Sequence, residues 1–154
     1  MIEAQPQTQG DNVLRQGSSL MLEKKYRQAI PYFRKAAEAQ ELQNDKRANA
    51  YRRLSICLEH TSFEQNSDNE TLLQQAVDAE KSALKYYPDS DEFLHQKGTS
   101  IFRIIFMLDS LASKTGEIGY REQAHDFFAQ NSERLSGEAT LKELEARGFK
   151  KLDS

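Results

Sequence analysis

Cysteine is almost missing from this chain of 154 residues, and the single Cys57 cannot form a disulfide within the chain. A lone thiol fits a reducing compartment, where disulfide frameworks are rare. Cys57 lies in the mostly apolar segment 54–58, so we expect a buried packing residue rather than a nucleophile. The chain is long enough to bury a sizeable core without disulfides or a metal.

Residues that break helices are also few, with seven Gly and three Pro. No segment alternates apolar and polar residues with the period of two that is typical of a strand. Apolar and small residues recur instead at helical spacing, as at Tyr51, Leu54, Ser55 and Leu58. The sequence therefore predicts an all-α fold.

Long hydrophobic runs are absent. The longest, 101–108, is interrupted by Arg103 and is too short to span a bilayer. Residues 1–12 are polar and Gln-rich, without the basic start and apolar stretch of a signal peptide. We therefore expect a soluble, cytoplasmic protein with no membrane insertion.

The run 101–108 nevertheless carries apolar residues on every side of the predicted helix. One explanation is a helix buried at the centre of the domain. The other is a face that pairs with a partner or another copy, and it predicts self-association through 101–108.

Positive charge is in deficit overall, because the net charge is −3, and this argues against a general nucleic-acid binder. The charges are segregated along the chain. Residues 23–53 hold nine basic and four acidic side chains, a net of +5, whereas residues 59–92 hold two and nine, a net of −7. Either the two blocks complement each other or are simply solvated, or one of them steers an oppositely charged partner.

Motifs that carry chemistry are lacking as well. The three histidines, His60, His95 and His125, are isolated, and none belongs to a two-histidine helix motif or lies near a second cysteine. Residues 114–116 lack the preceding glycines of a phosphate-binding loop. Carboxylates are too numerous for an acid–base pair to be singled out. We predict a protein that is not an enzyme and that needs neither cofactor nor metal.

An internal repeat is the most informative feature present. A small residue, a bulky one four positions later and a small one three further on recur as Ala29/Phe33/Ala36, Ala76/Glu80/Ala83 and Ala124/Phe128/Asn131. Each is preceded by a segment with large, small and large residues at the same spacings, namely Val13/Gly17/Leu20, Tyr51/Ser55/Leu58 and Leu94/Gly98/Ile101.

These segments, which cover residues 10–136, resemble the tetratricopeptide repeat, a pair of antiparallel helices that stacks into a right-handed superhelix. In such a pattern the small residues let two helix backbones approach, and the aromatic residues fill the space beside them. The resemblance departs from the family at Glu80, where an aromatic residue is expected, and at Asn131. The alanines also recur at 47 and 48 residues, against a family period of about 34. Either the later hairpins are stretched, or the repeat is a divergent one of another kind.

The resemblance implies a short tetratricopeptide-like right-handed solenoid of antiparallel helix hairpins with a C-terminal capping helix. We expect one domain over 11–148, between a flexible tail over 1–10 and a second tail over 149–154. Its hairpins would cover about 11–42, 45–87 and 90–135, and the capping helix about 137–147. Pro31 is tolerated only near a helix start, which predicts a turn at 23–25. Ser67 with Glu70, and Asp89 with Glu92, have the spacing of capping boxes.

In the resembled family the first helix of each hairpin lines a concave groove that binds a peptide or an amphipathic helix. The corresponding candidate residues here are Leu14, Ser18, Met21, Asn49, Arg52, Ile56, Glu59, His95, Thr99 and Phe102. They imply a non-catalytic adaptor or scaffold that binds a segment of another protein.

Two alternatives remain for the function. The first is a small chaperone that holds a client segment, similar to the three-repeat chaperones of bacterial secretion systems. The second is a structural subunit whose apolar fifth helix docks into a larger assembly. The groove interpretation predicts that Arg52→Glu and Phe102→Ala reduce capture of co-purifying partners, and unchanged capture would contradict it.

Overall fold

A computed structural model describes residues 8–64 and 68–150 of the chain. Over these residues the protein is all-helical and contains no β-strand, which confirms the predicted fold class. The helices of the described part are α1 (Gln9–Leu22), α2 (Tyr26–Glu38), α3 (Asn44–Ser62), α4 (Asn69–Tyr86), α5 (Leu94–Thr115), α6 (Ile118–Asn131) and α7 (Glu138–Ala146). Short 3₁₀ helices, Asp91–Phe93 and Ser132–Arg134, precede α5 and follow α6.

The chain divides into two compact units at Tyr86 and Tyr87. The first unit holds α1 to α4, and the second holds α5 to α7. The prediction of one domain over 11–148 stays a prediction, and each unit is described by itself.

In the first unit α2 packs against both α1 and α3, and α3 packs against α4. The close approach predicted at Gly17 is confirmed. A Cβ atom at this position would lie 2.9 Å from Cε1 of Phe33, whose ring is fully buried. Ala29, Ile30, Ala36 and Ala37 complete the buried face of α2. Small residues thus bring α1 and α2 together around one aromatic ring.

The ends of α1 are set by local hydrogen bonds. Thr8 and Asp11 form a capping box, so the helix begins at Gln9, inside the segment 1–10 for which we predicted a flexible tail. Residues 1–7 lie outside the described part. At the other end the Lys25 N–H donates to the Leu20 carbonyl and the Lys24 N–H donates to that of Met21. Lys24 takes the left-handed conformation, with φ of 60°, that this C-terminal motif requires. The turn predicted at 23–25 is confirmed.

Helix α2 ends at Glu38, four residues before the predicted end, because of a tertiary contact. The guanidinium of Arg47, from α3, donates to the Ala37 carbonyl and to that of Ala39, the latter over 2.6 Å. It also reaches the Leu42 carbonyl at 3.2 Å. An arginine that satisfies the carbonyls at a helix end removes the need for another helical turn.

Helices α3 and α4 meet through a mixed polar and aromatic interface. Glu80 of α4 occupies the repeat position where an aromatic residue was expected, and its side chain is fully buried. Arg52 of α3 pairs with it, with Nε 3.4 Å from Oε2. The Ser55 hydroxyl donates to the Ala76 carbonyl over 2.7 Å. The small residue predicted at position 55 thus joins two helices by a buried hydrogen bond.

The two predicted capping boxes have different outcomes. Ser67 lies outside the described residues, and Asp68 accepts a hydrogen bond from the Thr71 N–H at the start of α4. The box at Asp89 and Glu92 is not formed. The Asp89 carboxylate pairs instead with the buried ammonium of Lys97, and Ser90 precedes the 3₁₀ helix without a side-chain cap. An unpaired buried ammonium costs more free energy than a helix end without a side-chain cap.

In the second unit α5 packs against α6. Its apolar run is mostly buried, since Ile101, Ile104, Ile105, Met107 and Leu108 are each at most 2% exposed. Asp109, also buried, receives Arg121 of α6 at 3.2 Å and Arg147, after α7, at 3.1 Å. This burial favours the first explanation of the run, a central helix, and leaves its aliphatic side chains inaccessible to another copy.

Candidate functional site

A cleft of about 620 Å³ opens in the first unit between α1 and α3. It is bounded by α1, by the connection that leads from α2 into α3, and by one face of α3. The lining side chains are Thr8, Asp11, Leu14, Arg15, Ser18, Glu41, Leu42, Gln43, Lys46 and Arg53. Both apolar and charged groups therefore face the opening.

Helical periodicity explains why these residues share the cleft. Residues three or four apart lie on one side of a helix, and this relation links Asp11, Leu14, Arg15 and Ser18 along α1. Val13 and Gly17 of α1 are buried, and Gly17 meets Phe33 of α2. Packing against α2 thus fixes the rotation of α1 and turns its mixed polar face towards the cleft.

One end of the cleft is neutralised by an ion pair. Lys46 Nζ lies 2.9 Å from Asp11 Oδ1, and the Thr8 hydroxyl donates to Asp11 Oδ2 over 2.8 Å. The hydrogen bond from Lys46, followed by that from Thr8, lowers the pKa of Asp11 below its ordinary value. Asp11 is therefore ionised at neutral pH, and its two carboxylate oxygens are engaged by Lys46 and Thr8.

The middle of the cleft differs, because its cations are not neutralised. Arg53 Nη1 donates to the Ser18 hydroxyl over 2.5 Å, and Ser18 in turn donates to the Leu14 carbonyl over 2.8 Å. Arg15 lies one turn before Ser18 and is exposed. Among the described residues no carboxylate forms an ion pair with Arg15 or Arg53.

The candidate residues from the first unit do not all come together. Leu14 and Ser18 line the cleft, and Met21 is half-buried further along α1. On α3 Asn49 is exposed, whereas Ile56 and Glu59 are half-buried, and none of the three lines the cleft. Arg52 turns to α4 and pairs with Glu80. Its place in the groove was inferred from helix position alone, and the buried carboxylate of Glu80 draws it elsewhere.

The candidates in the second unit lie together in their own small pocket. His95, Thr99 and Phe102 line a pocket of about 90 Å³ together with residues that include Gly98 and Leu135. The ten candidates thus form two sets, one in each unit.

Sequence reasoning missed Arg15, Lys46 and Arg53 as cleft residues. Arg15 stands next to Leu14 and three residues before Ser18, both of which were candidates. Lys46 and Arg53 are seven residues apart, the spacing of one helix face. This helical spacing is the sequence signal that could have identified these residues as part of the cleft.

The cysteine and two of the histidines, which are the side chains most suited to catalysis, are engaged in packing. The Cys57 thiol is buried, and burial raises its pKa to about 12. The His60 ring stacks on Tyr26 with centroids 4.0 Å apart, and His125 contacts Phe149 at 4.5 Å. Within residues 8–64 and 68–150, His, Cys, Asp and Glu side chains do not gather in threes as a metal site would need.

Within residues 8–64 and 68–150, no helix is both long and apolar enough to cross a bilayer. No protein-family model, curated protein or solved structure matches the chain.

Proposed function

We propose that this chain is a non-catalytic protein-interaction domain that holds a segment of a partner protein in the cleft between α1 and α3. The observation that carries the proposal is the cleft itself, about 620 Å³ in volume and lined by both aliphatic and charged side chains. Pockets of several hundred cubic ångströms with a few placed polar groups are typical binding sites. Leu14 and Leu42 supply apolar contact, and the arginines supply orientation.

We further propose that the helices are a divergent form of the tetratricopeptide architecture. Two contacts in the first unit support this kinship. Gly17 lies against the Phe33 ring, and Ser55 bonds to the Ala76 carbonyl, both at positions where the repeat pattern requires small residues. The fully buried Glu80 accounts for the departure from the pattern, because Arg52 and Glu80 together fill the place of an aromatic side chain.

Two further observations support interaction over the other functions. The single thiol and two of the three histidine rings are engaged in packing, which favours a binding role over catalysis. The structural-subunit alternative rested on an apolar face of α5. Ile104, Ile105 and Met107 are at most 1% exposed, whereas Phe102 and Phe106 are half-buried, so most of the apolar run is already covered within this chain.

The proposal is tested by blocking the cleft with one bulky side chain. Ser18→Trp places an indole in the opening, and Ser19→Trp makes the same change at the next residue of α1, which is exposed and does not line the cleft. Partners captured from the native source by immobilised wild-type protein are compared with those captured by each variant. We expect loss of a specific partner with Ser18→Trp and its retention with Ser19→Trp.

Both variants must first keep the wild-type helical circular dichroism spectrum. Equal capture by the two folded variants would refute binding in the cleft.

A further inference from the structure

The cations of α3 differ in how their charge is balanced. Arg47 donates to carbonyl oxygens at the end of α2, Arg52 pairs with Glu80, and Lys46 pairs with Asp11. Arg53 is the exception among these four, since its partner in the described structure is the neutral Ser18 hydroxyl. A guanidinium carries five N–H donors, so most of those on Arg53 remain available in the cleft.

Arg15 brings a second available guanidinium to the same place. It lies three residues before Ser18, one helical turn away, and both residues line the cleft with Arg53. Arg53 reaches Ser18 from the opposite wall over 2.5 Å. The Ser18 hydroxyl therefore accepts a hydrogen bond from Arg53 of α3 and lies one helical turn from Arg15 on α1.

This arrangement favours an anion in the middle of the cleft. Arg53 is only partly exposed, and a cation withdrawn from water gains more from an anionic partner than an exposed one does. Planar guanidinium groups match the geometry of a carboxylate and can bind it with two hydrogen bonds each. Glu41 also lines the cleft, but its Oε1 accepts the Gly10 N–H at 3.4 Å, at the far end near the start of α1.

We infer that the cleft recognises an acidic segment of a partner protein, with one carboxylate side chain bridging Arg15 and Arg53. The inference rests on the proposed function and adds the chemistry of the ligand to it. Leu14 and Leu42, which also line the cleft, would contact apolar residues that flank the carboxylate.

A polypeptide fits this cleft better than a nucleic acid does. The ionised side chains among its described lining residues are three basic and two acidic, which gives a net of only +1. Nucleic-acid sites instead follow the phosphate backbone with a continuous basic track and offer aromatic rings for stacking. The described residues that line this cleft include neither a continuous basic track nor an aromatic ring.

The test uses two synthetic peptides with acetylated and amidated ends, so that only the side chains differ in charge. One repeats Glu-Ala-Leu and the other repeats Gln-Ala-Leu, each over four units. Each peptide is titrated into ¹⁵N-labelled protein to about 1 mM, where weak binding is still measurable by amide shifts. A (dT)₁₂ oligonucleotide is the third probe.

We expect the glutamate peptide to shift the amide resonances around Arg15, Ser18 and Arg53. Raising NaCl from about 50 to about 300 mM should weaken the binding of this peptide. Arg53→Gln and Arg15→Gln should each reduce its affinity about three- to tenfold, as loss of a charge-assisted hydrogen bond does. The matched control is Lys81→Gln, which changes the net charge equally at an exposed position of α4 outside the cleft. Arg15 is itself exposed, so its variant keeps the test valid if Arg53→Gln unfolds.

The possible outcomes separate the inference from the proposed function. Equal binding of both peptides at the cleft would keep the proposed function and overturn the acidic ligand. Tighter binding of the oligonucleotide than of the glutamate peptide would replace a protein ligand by a nucleic acid. If the glutamate peptide leaves the cleft amides unshifted, the inference fails, while partner capture with Ser18→Trp still decides the proposed function.

Discussion

The ion pair between Arg52 and Glu80 gives the sharpest test of the structure, because the sequence alone placed Arg52 in a binding groove. In the structure the Glu80 side chain is fully buried, that of Arg52 is 16% exposed, and Nε lies 3.4 Å from Oε2. At an effective dielectric constant of about 20, charges at this distance attract by about 5 kcal/mol. The desolvation of both groups offsets much of that gain.

The perturbation is a double-mutant cycle of Arg52→Met, Glu80→Met and the double variant. Arg52→Met leaves a buried carboxylate without its cation and should lower the free energy of unfolding by about 3–5 kcal/mol. Glu80→Met should cost less, about 1–2 kcal/mol, because the longer arginine can turn its charge towards water. The double variant should lie within about 1 kcal/mol of wild type, since apolar side chains often replace a buried pair without loss.

The assay is urea unfolding followed by far-UV circular dichroism, with the midpoint and slope fitted for each variant. Arg53→Met is the matched control. It neutralises the next residue, which forms no ion pair within residues 8–64 and 68–150, and it should cost less than about 1 kcal/mol. If Arg52→Met costs no more than Arg53→Met, and the two members of the cycle add without coupling, Arg52 is an exposed residue and the packing described here is refuted.

Three further predictions concern packing and backbone geometry. Gly17→Ala should lower the free energy of unfolding by about 1–2 kcal/mol, because the new methyl would meet the Phe33 ring at 2.9 Å and overpacking outweighs the better helix propensity. An increase in the free energy of unfolding would contradict the close approach. Lys24→Gly should stabilise by about 1 kcal/mol in the same assay, because glycine takes the left-handed conformation without strain; a loss would contradict that conformation. The Cys57 thiol, whose pKa is raised to about 12 by burial, should resist a thiol reagent at pH 8 until urea unfolds the protein; rapid native labelling would show that it is accessible.

The titration of Cys57 also has a definite sign. Its folded pKa lies above the unfolded value, so the stability that burial of the neutral thiol provides is complete below about pH 8.5. That stability declines as the pH rises from there towards 12. A Cys57→Ala variant should lose this part of the alkaline dependence.

Helix positions followed closely from the sequence where local signals dominated. The turn at 23–25 was predicted because Pro31 cannot lie deep inside a helix, and the Gly17 contact was predicted from the spacing of small and aromatic residues. The end of α2 was misplaced because Arg47, from the next helix, determines it. The start of α1 was placed two residues late, although Thr8 and Asp11 have the spacing of a capping box.

The candidate site was predicted less well than the helices. Two of the seven candidates in the first unit, Leu14 and Ser18, line the cleft. The choice between Arg52 and Arg53 could not be made from position alone, since adjacent residues on a helix point about 100° apart and both belong to the same basic block. Only the burial of Glu80 on α4 decides which of the two arginines forms the ion pair.

By itself the sequence predicted the helical fold class and a close approach at Gly17, because both follow from short-range periodicity and side-chain size. The tertiary structure decided where the charges of the basic block go. Arg47 ends α2, Arg52 compensates a buried glutamate, and Arg53 remains in the cleft beside Arg15. These roles depend on partners at least five residues away, and electrostatic contacts of that kind leave no periodic trace in the sequence.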